Sequence, residues 1–410
     1  MILRGATLCD HSQEKSLDIE VDNGKIKKIA PHIKNENNST TVDASHLILM
    51  PSLWELHARV KNNILNSAHI SKLLAKAKQS GVGNLCILPD STPMIDNELM
   101  IEFLEHNDKQ YTKLIPICSS LNSQGDFSPI ATLLQKGAKA IYLDSGCGNT
   151  IRRVCEYALI DNTPIIANAY DESLSRGCIN NHLAGASMGL AGIDPIAQVA
   201  QVAKILEVVR FFKNRVLFPT ITTVRSIELI EQAKTAEGGN EFYIQTPIHH
   251  LLLDDKQCLG FNTKAKLFPP LREEEEREKL LQALIDGKID LLTSLQSHET
   301  KTKKDLPFEE ASSGVNDIEI FFSLCYTHLV ATGLIGLQQL VTLLSVNACR
   351  LFNQTPTTIK EGICLDDLVV VDKKTSFVVD SELSLYSQQE LQASIAPANE
   401  YLNTLYKGMK

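Results

Sequence analysis

Met50-Pro51-Ser52-Leu53-Trp54-Glu55-Leu56-His57-Ala58-Arg59 is a short apolar run that ends in polar residues, and an amphipathic stretch over 71–79 follows it. Alternate residues of a strand face one side, so the run reads as a strand presenting His57 and Arg59 together at its end. The same strand-then-helix unit recurs downstream. Further strands are predicted over 84–88, 113–117, 140–143, 164–168, 215–218, 241–245 and 289–294, with helical stretches over 194–212, 224–234 and 273–286 among them. Eight apolar runs at these spacings predict an α/β chain whose residues 51–351 close into a (β/α)8 TIM barrel.

Outside the barrel the pattern changes. Residues 1–50 read as short strands separated by turns, among them Asp22-Asn23-Gly24, with the polar stretch 35–39 as an exposed loop. A strand pattern returns over 355–372. The two chain ends are therefore expected to build one small β domain from 1–50 and 352–385, with 386–410 as an extension that the sequence does not assign. The polar segment 299–318 reads as a loop over one barrel mouth.

The chain has 410 residues, enough for one barrel of about 250–300 residues and a smaller partner domain. A hydrophobic fraction of 43% with 22% charged residues is that of a globular protein able to bury a core unaided. The net charge of -9, with lysines and arginines scattered, argues against nucleic acid or an anionic membrane as partner. No window approaches about 18 uninterrupted apolar residues, so a cytoplasmic location is the default expectation. The ten cysteines form no CxxC pair and read as reduced, mostly core residues.

Barrel enzymes place their chemistry at the C-terminal ends of the strands, and there several strings resemble those of the dihydroorotases, amidohydrolases with a P-G-x-x-D-x-H-x-H first strand. Met50 to Arg59 resembles that strand, with Arg59 on the second histidine. Leu88-Pro89-Asp90-Ser91-Thr92-Pro93 is similar to M-P-N-T-x-P, with Asp90 on the substrate-binding asparagine. Tyr142 to Gly146 resembles F-x-D-D-G and keeps Asp144. Thr163 to Asp171 resembles V-P-I-x-x-H-C-E-D, with Asn168 on the histidine, and 215–226 resembles the H-x-x-H-x-S-T stretch, with Thr220 on its second histidine. Phe268-Pro269-Pro270-Leu271-Arg272 is similar to N-P-P-L-R, the most specific string. Ile289 to His298 resembles I-D-x-x-A-T-D-H-A-P-H, with Leu295 on the zinc-binding aspartate. Val346 to Phe352 and the LDDLVVVD string are similar to the elements that close these chains, so the resemblance runs from residue 1 to about 375.

The resemblance implies a zinc-dependent cyclic-amide hydrolase, whereas the residues imply a degenerate metal site. Of the implied ligands only His57 and Asp144 persist; Arg59, Asn168, Thr220 and Leu295 stand where others would be. Two donors hold zinc poorly, and without it water is not acidified and the ring amide is not polarised. The expected function is that of a pseudoenzyme with no cofactor and no catalytic residue: a subunit, in a homo- or hetero-oligomer, supporting aspartate carbamoyltransferase in pyrimidine biosynthesis, a role the resemblance alone supplies. Two alternatives stay open. One is an active or altered hydrolase using His57 or Asp144 as base; the other is a binder of small anions through Arg59 and Lys61, Lys61 falling where the family has a substrate-carboxylate arginine. Equally, Arg59 and Lys61 are expected to pair with Glu55, Asp90 or Asp144. His249-His250 is read as packing at a strand-to-loop junction, Cys147 as a loop cysteine, and Glu273 to Glu276 as a helix-starting acidic run that complements the dipole.

Overall fold

The computed structural model describes residues 1–35, 39–107, 111–144, 146–235 and 239–408. Of the loop expected over 35–39, residues 36–38 lie outside the described residues, as does Ser145 of the Tyr142 to Gly146 string.

Eight parallel strands form the barrel: Leu53–Ala58, Val82–Ile87, a third in two pieces (Lys113–Leu114 and Ile117–Ser119), Ala140–Leu143, Ile165–Ala167, Arg215–Phe218, Glu241–Pro247 and Leu291–Thr293. The third strand breaks at Pro116, which has no N–H to give; its carbonyl still accepts from Lys139 N at 2.7 Å. The lumen is packed by Trp54, Leu56, Cys86, Leu88, Ile117, Tyr142, Ile166, Leu217 and Leu291. At roughly 1.5–3 kcal/mol for each large side chain taken from water, this layer alone favours the closed barrel strongly.

The seam between the first and eighth strands is closed by a carboxylate. Glu55 is fully buried and accepts from His57 N (2.8 Å), Thr293 Oγ1 (2.6 Å), Ser294 N (2.8 Å) and Ser294 Oγ (2.5 Å). Burial pushes its pKa up, against the pull of these four donors. Just beyond, Arg59 N donates to Gln296 O at 2.7 Å.

The helix predicted to begin at 71 starts four residues earlier, as Ser67–Gln79, because Asn66 caps it: its side-chain oxygen accepts from His69 N at 2.8 Å. The polar segment after the eighth strand is mainly irregular, with one short helix, Lys301–Lys304.

Both chain ends meet in one seven-stranded sheet. Its order is Glu390–Pro397, Leu368–Val378, Leu47–Pro51, Ile2–Cys9, Glu14–Asp22, Lys25–Ala30, with Thr41–Asp43 also on Ile2–Cys9. The segment left unassigned by the sequence is, over its described residues to 408, part of this domain. Its strand Glu390–Pro397 pairs antiparallel with Leu368–Val378, and the helix Ala398–Gly408 buries Ala398 and Leu402 in the core of that domain. Gly81 shows how closely this strand meets the barrel: a Cβ there would lie 2.7 Å from Ile395 Cδ1, and its φ is +74°.

Candidate functional site: the C-terminal mouth of the barrel

A register shift between Glu55 and Ala58 in the first strand's pairing turns the chain as it leaves the lumen layer. It delivers His57 and Arg59 side by side at the mouth, Arg59 Nη1 lying 3.5 Å from His57 Nε2. Arg59 then engages Asp90 through three contacts: Nε to Oδ1 at 3.2 Å, Nε to Oδ2 at 3.0 Å and Nη2 to Oδ2 at 2.6 Å. Of the three acids expected as candidates, Asp90 is therefore the partner. Burial alone would raise the Asp90 pKa, but the charge and hydrogen bonds of Arg59 hold it below the usual carboxylate value.

His57 is 5% exposed, and its pKa is pushed down to about 3 by burial first and by the Arg59 charge second. It is a neutral imidazole near pH 7. Asp144 accepts from Asn168 Nδ2 at 3.2 Å; burial raises its pKa in spite of that bond. Thr220 sits beyond the sixth strand at φ +56°, its carbonyl accepting from the buried Gln198 amide at 3.0 Å. Leu295, at φ +52°, is 3% exposed and packs with Ile179, Leu267, Leu271, Phe308 and Val315. Lys61 does not join the Arg59–Asp90 pair. It lies close enough to His298 that, after burial and Lys76, its charge helps hold that histidine near a pKa of about 4.

The structure thus brings His57, Arg59, Asp90, Asp144 and Asn168 to one mouth and turns Leu295 into an apolar cluster. The donor set does not fit the zinc that the fold family implies. Arg59 offers no lone pair and brings its charge within 3.5 Å of His57 Nε2, while Asp144 accepts from the Asn168 amide. No metal-dependent step follows from these residues.

His249 and His250 lie in the short helix Ile248–Leu252, at the junction expected for them. They serve as fully buried packing groups. His249 Nδ1 is 2.9 Å from Tyr386 OH and its Nε2 is 3.0 Å from Ser294 O, while His250 Nε2 is 3.0 Å from Pro269 O. Cys147 precedes the helix Gly148–Ala158, where the backbone N–H groups of Thr150 and Asn149 lower its pKa.

Sequence reasoning missed a polar network behind the mouth. Tyr170 N donates to Asn168 Oδ1 at 3.3 Å, and Arg272, 2% exposed, donates from Nη2 to Tyr170 OH at 2.7 Å and from Nη1 to Asn180 Oδ1 at 2.8 Å. The arginine of the Phe268 to Arg272 string was the available signal, since so large a charged side chain beside two prolines in an apolar context asks for a buried partner.

Over nearly its whole length the chain is similar to proteins named dihydroorotase. It is 28% identical over 382 residues to that of Caldicellulosiruptor saccharolyticus, covering 91% of this chain and 88% of the relative, and 28% identical over 381 residues to that of Staphylococcus aureus, covering 90% and 89%. The chain is dihydroorotase-like. Solved structures agree on the fold of this dihydroorotase-like chain. The L-hydantoinase (dihydropyrimidinase) of Arthrobacter aurescens superposes with a TM-score of 0.81 at 16% identity, over 96% of this chain and 93% of that one. A D-hydantoinase structure gives 0.78 at 16% identity, over 96% and 92%. No protein-family model matches the chain. Among the described residues no helix is long and apolar enough to cross a membrane.

Proposed function

We propose that this dihydroorotase-like chain is a subunit without metal-dependent hydrolase activity that supports aspartate carbamoyltransferase in pyrimidine biosynthesis, in the cytoplasm. The observation that carries the first half is the Arg59–Asp90 pair seated against His57. A guanidinium occupies one ligand position, its countercharge comes from the chain itself, and of the other positions beside His57 one keeps the Asp144 carboxylate while Asn168, Thr220 and Leu295 supply an amide, a hydroxyl and a leucine. The site keeps the shape of a hydrolase mouth and lacks the groups that would polarise an amide carbonyl or activate water. The partner rests on the resemblance to dihydroorotases and not on a surface of the structure.

The test has two arms. Dihydroorotase turnover is measured in both directions on the full chain with added zinc; none is expected, and zinc-dependent turnover that is abolished by His57→Ala would overturn the proposal. The chain is then co-expressed with aspartate carbamoyltransferase and the mixture sized; co-elution with a change in transcarbamoylase activity is expected, and separate elution would remove the partner.

A further inference from the structure

At the edge of the barrel mouth, behind the polar network, three potential metal donors converge from distant parts of the chain. His182 precedes the short helix Leu183–Ser187, Asp255 lies in the loop after the seventh strand, and Glu273 opens the helix Glu274–Ile285. One donor atom of each lies within 4.8 Å of the others. His182 Nδ1 stands 3.2 Å from Asp255 Oδ2. A tetrahedral zinc with bonds of about 2.0–2.1 Å needs donors about 3.4 Å apart, so this pair is already at ligand spacing.

Two further observations point to a cation. Asp255 is 1% exposed and Glu273 is half-buried, and both carboxylates lean on the same Asn180 Nδ2, at 3.1 and 2.8 Å. Carboxylates held together away from water repel one another. Among the described residues neither has a lysine or arginine within ion-pair distance; Arg272 stops at the far side of Asn180, on its Oδ1. The second concerns Glu273 itself. Its position at the helix start offers backbone N–H groups, as expected from the sequence, yet its side chain makes no capping bond and turns to Asn180 and Asp255 instead. The acidic run does start this helix, with Glu274, Glu275 and Glu276 in its first turn, while Glu273 sits at the N-cap without a side-chain capping bond.

We propose that His182, Asp255 and Glu273 bind one divalent first-row transition ion of zinc type. One imidazole with two carboxylates suits such an ion better than magnesium or calcium, which favour oxygen ligands alone. Asn180 orients both carboxylates, and Arg272 orients Asn180, so the second layer of the site is already built and buried. The ion ties the loop after the seventh strand to the segment around 180, clamping one side of the mouth, and leaves a fourth position for water. The proposal is independent of the hydrolase question, because none of these residues belongs to the His57 centre.

The test uses the untagged full chain, stripped with chelator and titrated with zinc against a chromophoric indicator, with cobalt absorption as a second readout. One equivalent is expected in the parent and in His57→Ala, and its loss is expected in His182→Ala and in Glu273→Gln, with folding checked by circular dichroism. A parent that takes up no equivalent overturns this proposal and leaves the proposed function intact. An equivalent that survives both His182→Ala and Glu273→Gln but disappears in His57→Ala overturns both.

Discussion

Breaking the Arg59–Asp90 pair tests directly how strongly the charges at the mouth hold one another. The side chains are 25% and 27% exposed, between a surface pair, worth about 0–1 kcal/mol, and a fully buried one, where loss of one partner costs about 3–5 kcal/mol. At a quarter exposure and with three short contacts, a coupling energy of about 2 kcal/mol is expected. The perturbation is a cycle of Arg59→Met, Asp90→Asn and the double variant, read by urea unfolding of the full chain at pH 7. Each single variant leaves one partly buried charge without its counterpart, so the double variant should be more stable than the sum of the two losses predicts. The pH dependence has a definite sign. Asp90's folded pKa lies below its ordinary 3.8, so the pair's contribution is present above that value and is lost only as pH falls through the lower folded one; the coupling should be flat from pH 5 to 8. A coupling below about 0.5 kcal/mol at pH 7 would refute the reasoning and leave Arg59 and Asp90 behaving as a solvated surface pair.

Leu295→Asp, which restores the residue type that the resemblance implies, should destabilise the chain by about 3 kcal/mol or more, because it puts a carboxylate among Ile179, Leu267, Leu271 and Phe308; urea unfolding within about 0.5 kcal/mol of the parent would show the cluster to be loose. Asp317, 3% exposed, has its pKa raised to about 7 chiefly by burial, with Glu319 adding to the rise and Ser384 and Lys76 opposing it. A carboxyl group raised in the fold contributes stability that is full below its ordinary 3.8 and is lost as pH rises to about 7. Asp317→Asn should therefore flatten the fall in unfolding midpoint between pH 5 and 7.5, and an unchanged slope would place that titration elsewhere.

The division between what was legible and what was not follows the range of the forces involved. Strand and helix periods are set by near neighbours, so the eight apolar runs, the barrel and the two-ended β domain are readable one segment at a time. The departures from the resembled motifs are equally local: Arg59, Asn168, Thr220 and Leu295 are read directly from the chain as residue types other than the implied ligands. Partnership is different. Arg59 had Glu55, Asp90 and Asp144 within plausible reach, and only the turn after the second strand decided for Asp90, while Glu55 went to the first-to-eighth seam. The strand Glu390–Pro397 has a pattern too short to assign alone and gained its place from an open edge on Leu368–Val378. His182 and Asp255 are 73 positions apart, and their meeting depends on loop paths that carry no period. By itself the sequence determined the class of fold and which residue types stand at the mouth; only the tertiary structure decided which charges answer one another, because loop closure brings together side chains whose separation in the chain says nothing of their distance in space.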